Sequence, residues 1–339
     1  MTDLSKLKVS SSPHIRSDDN TRQIMLDVVI ALMPALAISV FVFGWRSLVM
    51  TIISALACVF FEWAYQKIMR RPVSAGDLSA VVTGILLAFC MPVAVPIWVL
   101  LIGDAFAIII VKQLYGGIGK NFLNPALVAR AFLTASFPGY LAFYTKIRTA
   151  LPLFTAVDAV SAATPLSSLT SSAGFLIPGE ALSNMALGMI PGSLGETSAL
   201  ALLAGGLYLL YRRVITWHIP VSFIGTVALL SFLFPSGNDP LTFMSYHILS
   251  GGVMLGAIFM ATDYSSSPIT RKGQIVYGIG CGALTIFIRY FGQLPEGVSY
   301  AILIMNAFVF IIERFTSPKK LGYIKPEKAK KASGGGQAK

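Results

Sequence analysis

The chain has 339 residues, of which 55% are hydrophobic and 12% are charged, and its formal net charge is +11. A soluble domain usually carries about 25% charged residues, so this composition excludes an ordinary soluble enzyme and indicates an integral membrane protein. The positive charges lie in short loops and tails beside apolar segments, where they indicate membrane topology and contact with anionic membrane lipid. Nucleic acid is therefore excluded as a partner.

Ten apolar segments follow a polar N-terminal tail, residues 1–23. The first of them is a membrane span rather than a signal peptide, because many similar segments come after it. The ten segments are Ile24–Phe43, Leu48–Tyr65, Leu78–Met91, Val95–Val111, Pro125–Ser136, Ser198–Tyr211, His218–Phe234, Tyr246–Thr262, Gln274–Tyr290 and Val298–Ile312. We therefore predict an all-α polytopic membrane protein with about ten transmembrane helices.

Lysine and arginine are distributed unequally between the two sides that ten spans define. Most of them lie in the two tails and in the loops on the same side as the tails. The exceptions are four residues on the opposite side, Arg46, Lys146, Arg148 and Arg289, and Arg130 within the fifth segment. Cytoplasmic loops carry the excess of Lys and Arg. We therefore expect a multi-pass protein of the bacterial cytoplasmic (inner) membrane, with both termini cytoplasmic and residues 137–197 forming an external, periplasmic loop.

This external loop divides the spans into two halves of five, residues 24–136 and 198–313, and a Lys-rich cytoplasmic tail, residues 314–339, follows them. An odd number of spans in each half requires any internal repeat to be inverted across the membrane, and we predict such inverted repeats. The third and fifth segments are short and bounded by prolines. They are either half-helices that end near the bilayer midplane or short, tilted helices.

Charged residues within spans or at their ends are candidates for an ion path or for structural ion pairs. Arg130 lies inside the fifth segment, and Asp104 in the fourth is its expected partner. Asp77 and Asp263 lie at span ends, where a carboxylate can equally cap a helix or pair with a neighbouring cation. The sequence does not assign an ion path to any one of them.

Metal and haem sites are not predicted. Cys58, Cys90 and Cys281 stand singly within apolar segments, which indicates packed thiols rather than metal ligands. His218 and His247 open their spans at opposite faces of the predicted topology, so they cannot ligate one iron.

A threonine among small residues marks the external loop segment Asp158–Leu166. Thr164 followed by Pro165 is a typical helix N-cap and first-turn pair, and this alone could explain both residues. A phosphate esterified to Thr164 would also lie at a helix N-terminus, against free backbone N–H groups. Small residues before Thr164 leave room for a bulky adduct; they are Ser161, Ala162 and Ala163. The residues permit such an adduct without requiring it.

Two motifs resemble a family of membrane redox proteins. One is Ser161–Thr164 before Pro-Leu, and the other runs from Gly116-Gly117 through Asn121–Phe132. Together with the ten-span layout, they resemble the family that comprises the D subunit of the Rnf ion-translocating electron transport complex and the B subunit of the sodium-pumping NADH:quinone reductase. The resemblance extends from about Pro13 to Arg314, and the chain length favours the Rnf type.

The resemblance implies a covalent flavoprotein. FMN would be joined by a phosphoester to Thr164 by a separate flavin transferase that uses FAD, with Asp158 and Ser161–Ala163 around the attachment point. Ala162 stands where many relatives have Gly. A riboflavin site between the two halves is also implied by analogy, and nothing in the sequence locates it.

The resemblance also implies a role in electron transport. The chain would pass electrons between an external FMN-bearing subunit and further carriers, in a complex of several subunits that links ferredoxin and NAD redox chemistry to Na+ or H+ movement. The flavin would supply the electron chemistry, so no catalytic residue is expected in this chain. The alternative is a channel or secondary transporter for a small solute, which inverted halves and broken helices suit equally.

Overall fold

The computed structural model describes residues 20–145, 147, 152, 166, 181–196, 198–235, 239–292 and 296–318. Within these ranges the chain is mainly helical, and an isolated β-bridge pairs Pro92 with Ser193. This bridge joins the turn after the third helix to the segment before the second half.

The first half consists of five long or medium helices and one short one. They are α1 (Thr21–Phe43), α2 (Trp45–Ile68), α3 (Ser79–Phe89), α4 (Ile97–Ala105), which continues as a π-helix over Phe106–Gln113, α5 (Pro125–Ser136) and the short α6 (Pro138–Leu141). A 3-10 turn, Ala75–Asp77, precedes α3. Asn124 caps α5, since its side chain accepts a hydrogen bond from the Ala126 N–H (3.1 Å) and Pro125 occupies the first helical position.

The second half begins after a short helix, α7 (Leu182–Leu187), in the loop between the halves. Its helices are α8 (Ala199–Tyr211), α9 (His218–Leu233), α10 (Pro240–Leu249), α11 (Val253–Leu255), which continues as a π-helix over Gly256–Met260, α12 (Arg271–Phe291) and α13 (Val298–Thr316). The chain bends by 64° between α10 and α11.

The predicted helical membrane class is confirmed. Four helices in the described ranges, α1, α2, α12 and α13, are long and apolar enough to cross a membrane, and the bent pair α10–α11 is a fifth candidate. Nine of the ten predicted segments overlap one helix, or one helix and its π-helical extension, and the eighth, Tyr246–Thr262, spans the bend between α10 and α11. The number of crossings and their sidedness stay predictions.

The helices of the two halves begin at matching intervals. In the first half, α2, α3, α4 and α5 begin at residues 45, 79, 97 and 125, and in the second, α9, α11, α12 and α13 begin at 218, 253, 271 and 298. The intervals within the two series agree to within one residue. Helices α1 and α8 pack against each other where the halves meet, as do α5 and α13.

Two glycines allow helix backbones to approach closely, one within the first half and one where the two halves meet. A Cβ on Gly84 of α3 would lie 2.7 Å from the Ser54 carbonyl oxygen of α2, and a Cβ on Gly205 of α8 would lie 2.1 Å from the Ala31 carbonyl oxygen of α1. Small residues permit such contacts between membrane helices. These glycines therefore set the spacing of α2 to α3 and of α1 to α8.

Helices α3 and α5 are short, as the sequence predicts. They contain 11 and 12 residues, which gives them a length of about 16–18 Å at 1.5 Å per residue. The hydrocarbon core of a bilayer is about 30 Å thick. Neither helix can cross it alone, and the turn that follows α3 is buried within the protein.

Candidate functional site

The predicted flavin attachment point lies outside the described residues, as do its predicted neighbours. These are Thr164, Asp158, Ser161, Ala162 and Ala163. Leu166, two positions after Thr164 in the sequence, is described and is 2% exposed. It packs in a small apolar cluster with Met185, Ile190, Phe243 and Tyr246, so the chain is anchored next to the predicted site.

The surroundings of Leu166 are polar on one side. A small cavity is lined by Leu166, Ser193, Glu196, Gly251 and Glu296, among others. Gly251 has φ +67°, and a Cβ there would lie 2.9 Å from Leu166 Cδ2 and 3.0 Å from Arg289 Nη2. The anchored leucine therefore lies at the edge of a cluster of buried charges.

Arg130 is the centre of this cluster and connects the two halves. Its Nη1 lies 2.8 Å from Glu196 Oε1 and 3.0 Å from Ser299 Oγ, and its Nη2 forms an ion pair with Glu296. Arg130 comes from α5, Glu196 from the segment before α8, and Glu296 and Ser299 from the start of α13. The arginine is thus shared between a carboxylate at the end of the loop between the halves, Glu196, and one of the second half, Glu296.

The predicted pairing of Arg130 with Asp104 is wrong. Arg130 faces Glu196 and Glu296, whereas Asp104 faces α2, where Ser54 Oγ lies 2.6 Å from its Oδ1. Helix α4 packs against both α2 and α5, and Asp104 is on the α2 side.

A tyrosine adds to the charge cluster. The Tyr144 hydroxyl donates a hydrogen bond to Glu296 Oε1 at 2.8 Å. Burial raises the pKa of Tyr144 above its ordinary value, because the charged phenolate is disfavoured away from water. At neutral pH the phenol is therefore a hydrogen-bond donor in a cluster of one guanidinium and two carboxylates.

Two further arginines, Arg46 and Arg289, are buried, and both are 1% exposed. The sequence showed them only as isolated cations on the external side. Arg46 Nε donates to the Val93 carbonyl oxygen at 2.9 Å, and its Nη1 donates to the Pro152 carbonyl oxygen. The Val93 contact fixes the turn between α3 and α4.

Arg289 fixes the second helix break in the same way. It donates to the carbonyl oxygens of His247 (2.7 Å) and Ser250 (3.0 Å), at the bend between α10 and α11. Carbonyl groups freed at a break in a membrane helix need donors. Each half thus has one arginine at a break, a role that charge counting cannot distinguish from a topology signal.

Asp77 and Asp263 bond locally. Asp77 Oδ1 accepts from the backbone N–H of Ser79 (2.9 Å) and from its hydroxyl (2.6 Å) just before α3. Asp263 Oδ2 accepts from the hydroxyls of Ser265 (3.0 Å) and Ser266 (2.9 Å), and burial raises its pKa although these bonds lower it. Both carboxylates therefore bond groups two or three residues further along the chain, as a residue at a helix end can.

A second cavity lies between the halves, at the end of the molecule that carries the loops predicted to be cytoplasmic. It encloses about 760 Å³, including space open to solvent. Apolar side chains of both halves line it, together with Ser79, Lys112, Asn124, Thr262 and Asp263. The Asn124 amide donates to the Met260 carbonyl oxygen at 3.2 Å and so joins the two halves at the cavity wall.

The fold and its buried charges define a helical membrane protein of two similarly built halves. The chain belongs to the NQR2, RnfD, RnfE family, whose model matches residues 8–322. This confirms the family resemblance that the sequence motifs indicate.

Its relatives are named as D subunits of ion-translocating oxidoreductase complexes. The D subunit of the Na(+)-translocating ferredoxin:NAD(+) oxidoreductase complex of Acetobacterium woodii is 48% identical, over 96% of this chain and 98% of the relative. The D subunit of the proton-translocating ferredoxin:NAD(+) oxidoreductase complex of Clostridium ljungdahlii is 41% identical, over 93% and 96%. The D subunit of the ion-translocating oxidoreductase complex of Marinobacter nauticus is 36% identical, over 96% and 98%.

Proposed function

We propose that this chain is the D subunit of an ion-translocating ferredoxin:NAD+ oxidoreductase complex of the bacterial cytoplasmic membrane. The observation that carries the proposal is the 48% identity to such a subunit over nearly the full length of both chains. The chain acts with the other subunits of the complex, including an external FMN-bearing subunit, and passes electrons within it. A small-solute transporter is not favoured by any of these relatives.

The electron carrier of this chain is FMN on Thr164, added by a flavin transferase. In this step the Thr164 hydroxyl oxygen attacks the FMN phosphorus of FAD, the pyrophosphate bond breaks, AMP leaves and the hydroxyl proton is released. The Ser-Ala-Ala-Thr motif supports the attachment, and the buried anchor at Leu166 supports a fixed position for the flavin. The isoalloxazine ring supplies the redox chemistry, and the chain supplies placement and electrostatics.

The two halves are inverted repeats, and the cavity between them holds a riboflavin. Matching helix intervals support the repeat, and five spans per half make it inverted. The cavity lies between the two halves and is partly open to solvent, and ligand sites in membrane proteins built from repeats lie at the interface between the repeats. Apolar side chains would cover the rings, and Ser79, Asn124 and Thr262 offer hydrogen bonds to polar edges.

In-gel flavin fluorescence tests the attachment. The chain, produced in a host with the transferase, is run on a denaturing gel as wild type, Thr164→Ala and the control Thr170→Ala. We expect fluorescent bands for the wild type and the control and a dark band for Thr164→Ala. A dark wild-type band, or a fluorescent Thr164→Ala band, would refute covalent FMN on Thr164.

A reporter fused near residue 173 tests the predicted orientation. An enzyme that is active only outside the cytoplasm should be active there, since both termini and the basic loops are placed inside. Activity of a cytoplasm-dependent reporter at the same position would reverse the topology.

A further inference from the structure

One face of α2 is polar along the whole helix, although it is buried. Its members recur every three or four residues, which places them on one side of a helix; they are Ser47, Thr51, Ser54, Cys58, Glu62 and Gln66. Polar and charged groups within a membrane are costly and mark function by default. The corresponding helix of the second half, α9, buries Ile219, Phe223 and Val227 and no charged residue, so the frame does not require a polar face at this position.

Most of the polar side chains on this face have clear partners. Glu62 pairs with Lys112 (3.0 Å) and accepts from the Gln113 amide (2.6 Å). Gln66 bonds Ser74 at the helix end, and Thr51 bonds the Ser47 carbonyl oxygen. Ser54 and Cys58, at the centre of the helix, instead face a carboxylate of α4.

Asp104 faces this centre from α4 and is 0% exposed. Its Oδ1 lies 2.6 Å from Ser54 Oγ and 3.3 Å from Cys58 Sγ. In the described part of the chain its Oδ2 has no hydrogen-bond partner, and Asp104 takes part in no ion pair. An ionised carboxylate is disfavoured in this setting because nothing compensates its lost hydration.

The hydrogen bonds of Ser54 indicate that Asp104 is protonated. Ser54 Oγ lies within hydrogen-bond distance of two oxygens, Asp104 Oδ1 (2.6 Å) and the Gly84 carbonyl oxygen (2.8 Å). A hydroxyl has one hydrogen to donate and two lone pairs, so it cannot satisfy two acceptors at once. If Asp104 carries a proton on Oδ1, it donates to Ser54 Oγ, and Ser54 donates to Gly84.

The charged groups nearby do not replace this proton. On α2, Glu62 lies one helical turn from Cys58 and is bound to Lys112, which comes from the π-helix after α4. From α5, which also packs against α4, Arg130 is bound to Glu196 and Glu296. Helix α3 presents hydroxyls and apolar groups and no charged side chain.

We propose that Asp104 is an exchange site for one monovalent cation, H+ or Na+, and is the protonated acid in the geometry described. The Glu62–Lys112 pair lies on the same face of α2, one helical turn beyond Cys58, and Lys112 and its partner Ser79 line the cavity between the halves. This role deepens the proposed ion translocation and rests on it, whereas the protonation state is testable without turnover. Of the four ion-path candidates in the sequence, the structure selects Asp104.

Infrared spectroscopy of the purified complex tests the chemistry. The difference spectrum of wild type minus Asp104→Asn should contain the C=O stretching band of a neutral carboxylic acid, and Ser54→Ala should shift this band because its hydrogen bond is lost. The control Asp239→Asn, which changes an exposed helix cap, should leave the band in place. Carboxylate bands in place of the acid band, in sodium-free buffer, would overturn the proposal. If Asp104→Asn does not fold, the shift of the acid band in Ser54→Ala still tests whether Asp104 is protonated.

A comparison of spectra with and without sodium shows whether the site exchanges Na+ or only H+. If NaCl, compared with choline chloride at the same ionic strength, converts the acid band into carboxylate bands, the site exchanges Na+ for H+; if the band is unchanged, it is a proton site. In liposomes, the Asp104→Asn complex should accumulate less ion per ferredoxin:NAD+ turnover than the wild type, because the exchange site is lost. Undiminished accumulation would overturn the transport role, and failure of electron transfer in the wild type would refute the proposed function instead.

Discussion

The two halves of the molecule share a helical frame and differ in what they bury. Helix α2 of the first half buries Arg46, Glu62 and a row of hydroxyls, whereas α9, its counterpart by position, buries an apolar face with one hydroxyl, Ser231. Both halves fold with similar helix intervals. Close helix packing is therefore common to both halves, whereas the buried polar face of α2 is not required by the frame.

Arg130 of the first half bonds groups of the second half, and its replacement should lower the stability of the chain more than any other change considered below. Arg130→Met leaves the buried Glu196 and the partly exposed Glu296 without their cation, and removing one partner of a buried ion pair costs about 3–5 kcal/mol. We expect loss of the assembled chain on size-exclusion chromatography or a strongly lowered unfolding temperature. A variant as stable as the wild type would mean that the cluster does not hold the halves together.

Variants of the Glu62–Lys112 pair should affect stability and ion transport differently. Glu62→Gln alone leaves Lys112 without its carboxylate and should destabilise the chain by about 3 kcal/mol. The double variant Glu62→Leu/Lys112→Met should recover that stability, because an apolar pair can replace a buried ion pair, and should still lose ion transport. Thermal unfolding and transport in liposomes measure the two effects. Normal transport by the double variant would make the pair purely structural.

Glycine packing should matter equally in both halves. A Cβ on Gly84 would lie 2.7 Å from the Ser54 carbonyl oxygen, and one on Gly282 would lie 2.7 Å from Thr226 Cβ. Either glycine changed to alanine should cost about 1–3 kcal/mol through overpacking. The control is Gly225→Ala in α9, where no atom lies within 4 Å of the new Cβ. Equal unfolding temperatures for all three variants would contradict the close-packed frame.

The smallest effect is expected for the ion pair between α1 and the end of α8, in which the arginine is exposed and the aspartate is buried. Arg212 Nη2 lies 3.2 Å from Asp27 Oδ2, and the arginine side chain is 52% exposed. Such pairs contribute about 0–1 kcal/mol, so Arg212→Ala should lower the unfolding temperature only slightly. An effect as large as that of Arg130→Met would remove the distinction between buried and exposed pairs.

Hydrophobicity predicts the helices of this chain well, because a bilayer requires long apolar segments with satisfied backbone groups. It does not predict which face of a helix a charged residue occupies. Arg130 and Asp104 are therefore matched wrongly, since α4 presents Asp104 to α2. Arg46 and Arg289 bond carbonyl groups at helix breaks, and their partners are distant in the sequence, so no local signal reveals them.

The proposed electron transfer by this chain depends on FMN bound covalently to Thr164. Fragmentation mass spectrometry of the peptide containing residue 164, from chain produced with the flavin transferase, tests it directly. We predict a mass increase of one FMN phosphoryl ester that fragmentation places on Thr164 and that disappears in Thr164→Ala. An unmodified wild-type peptide, or an FMN ester on another hydroxyl such as Ser161, would contradict the account.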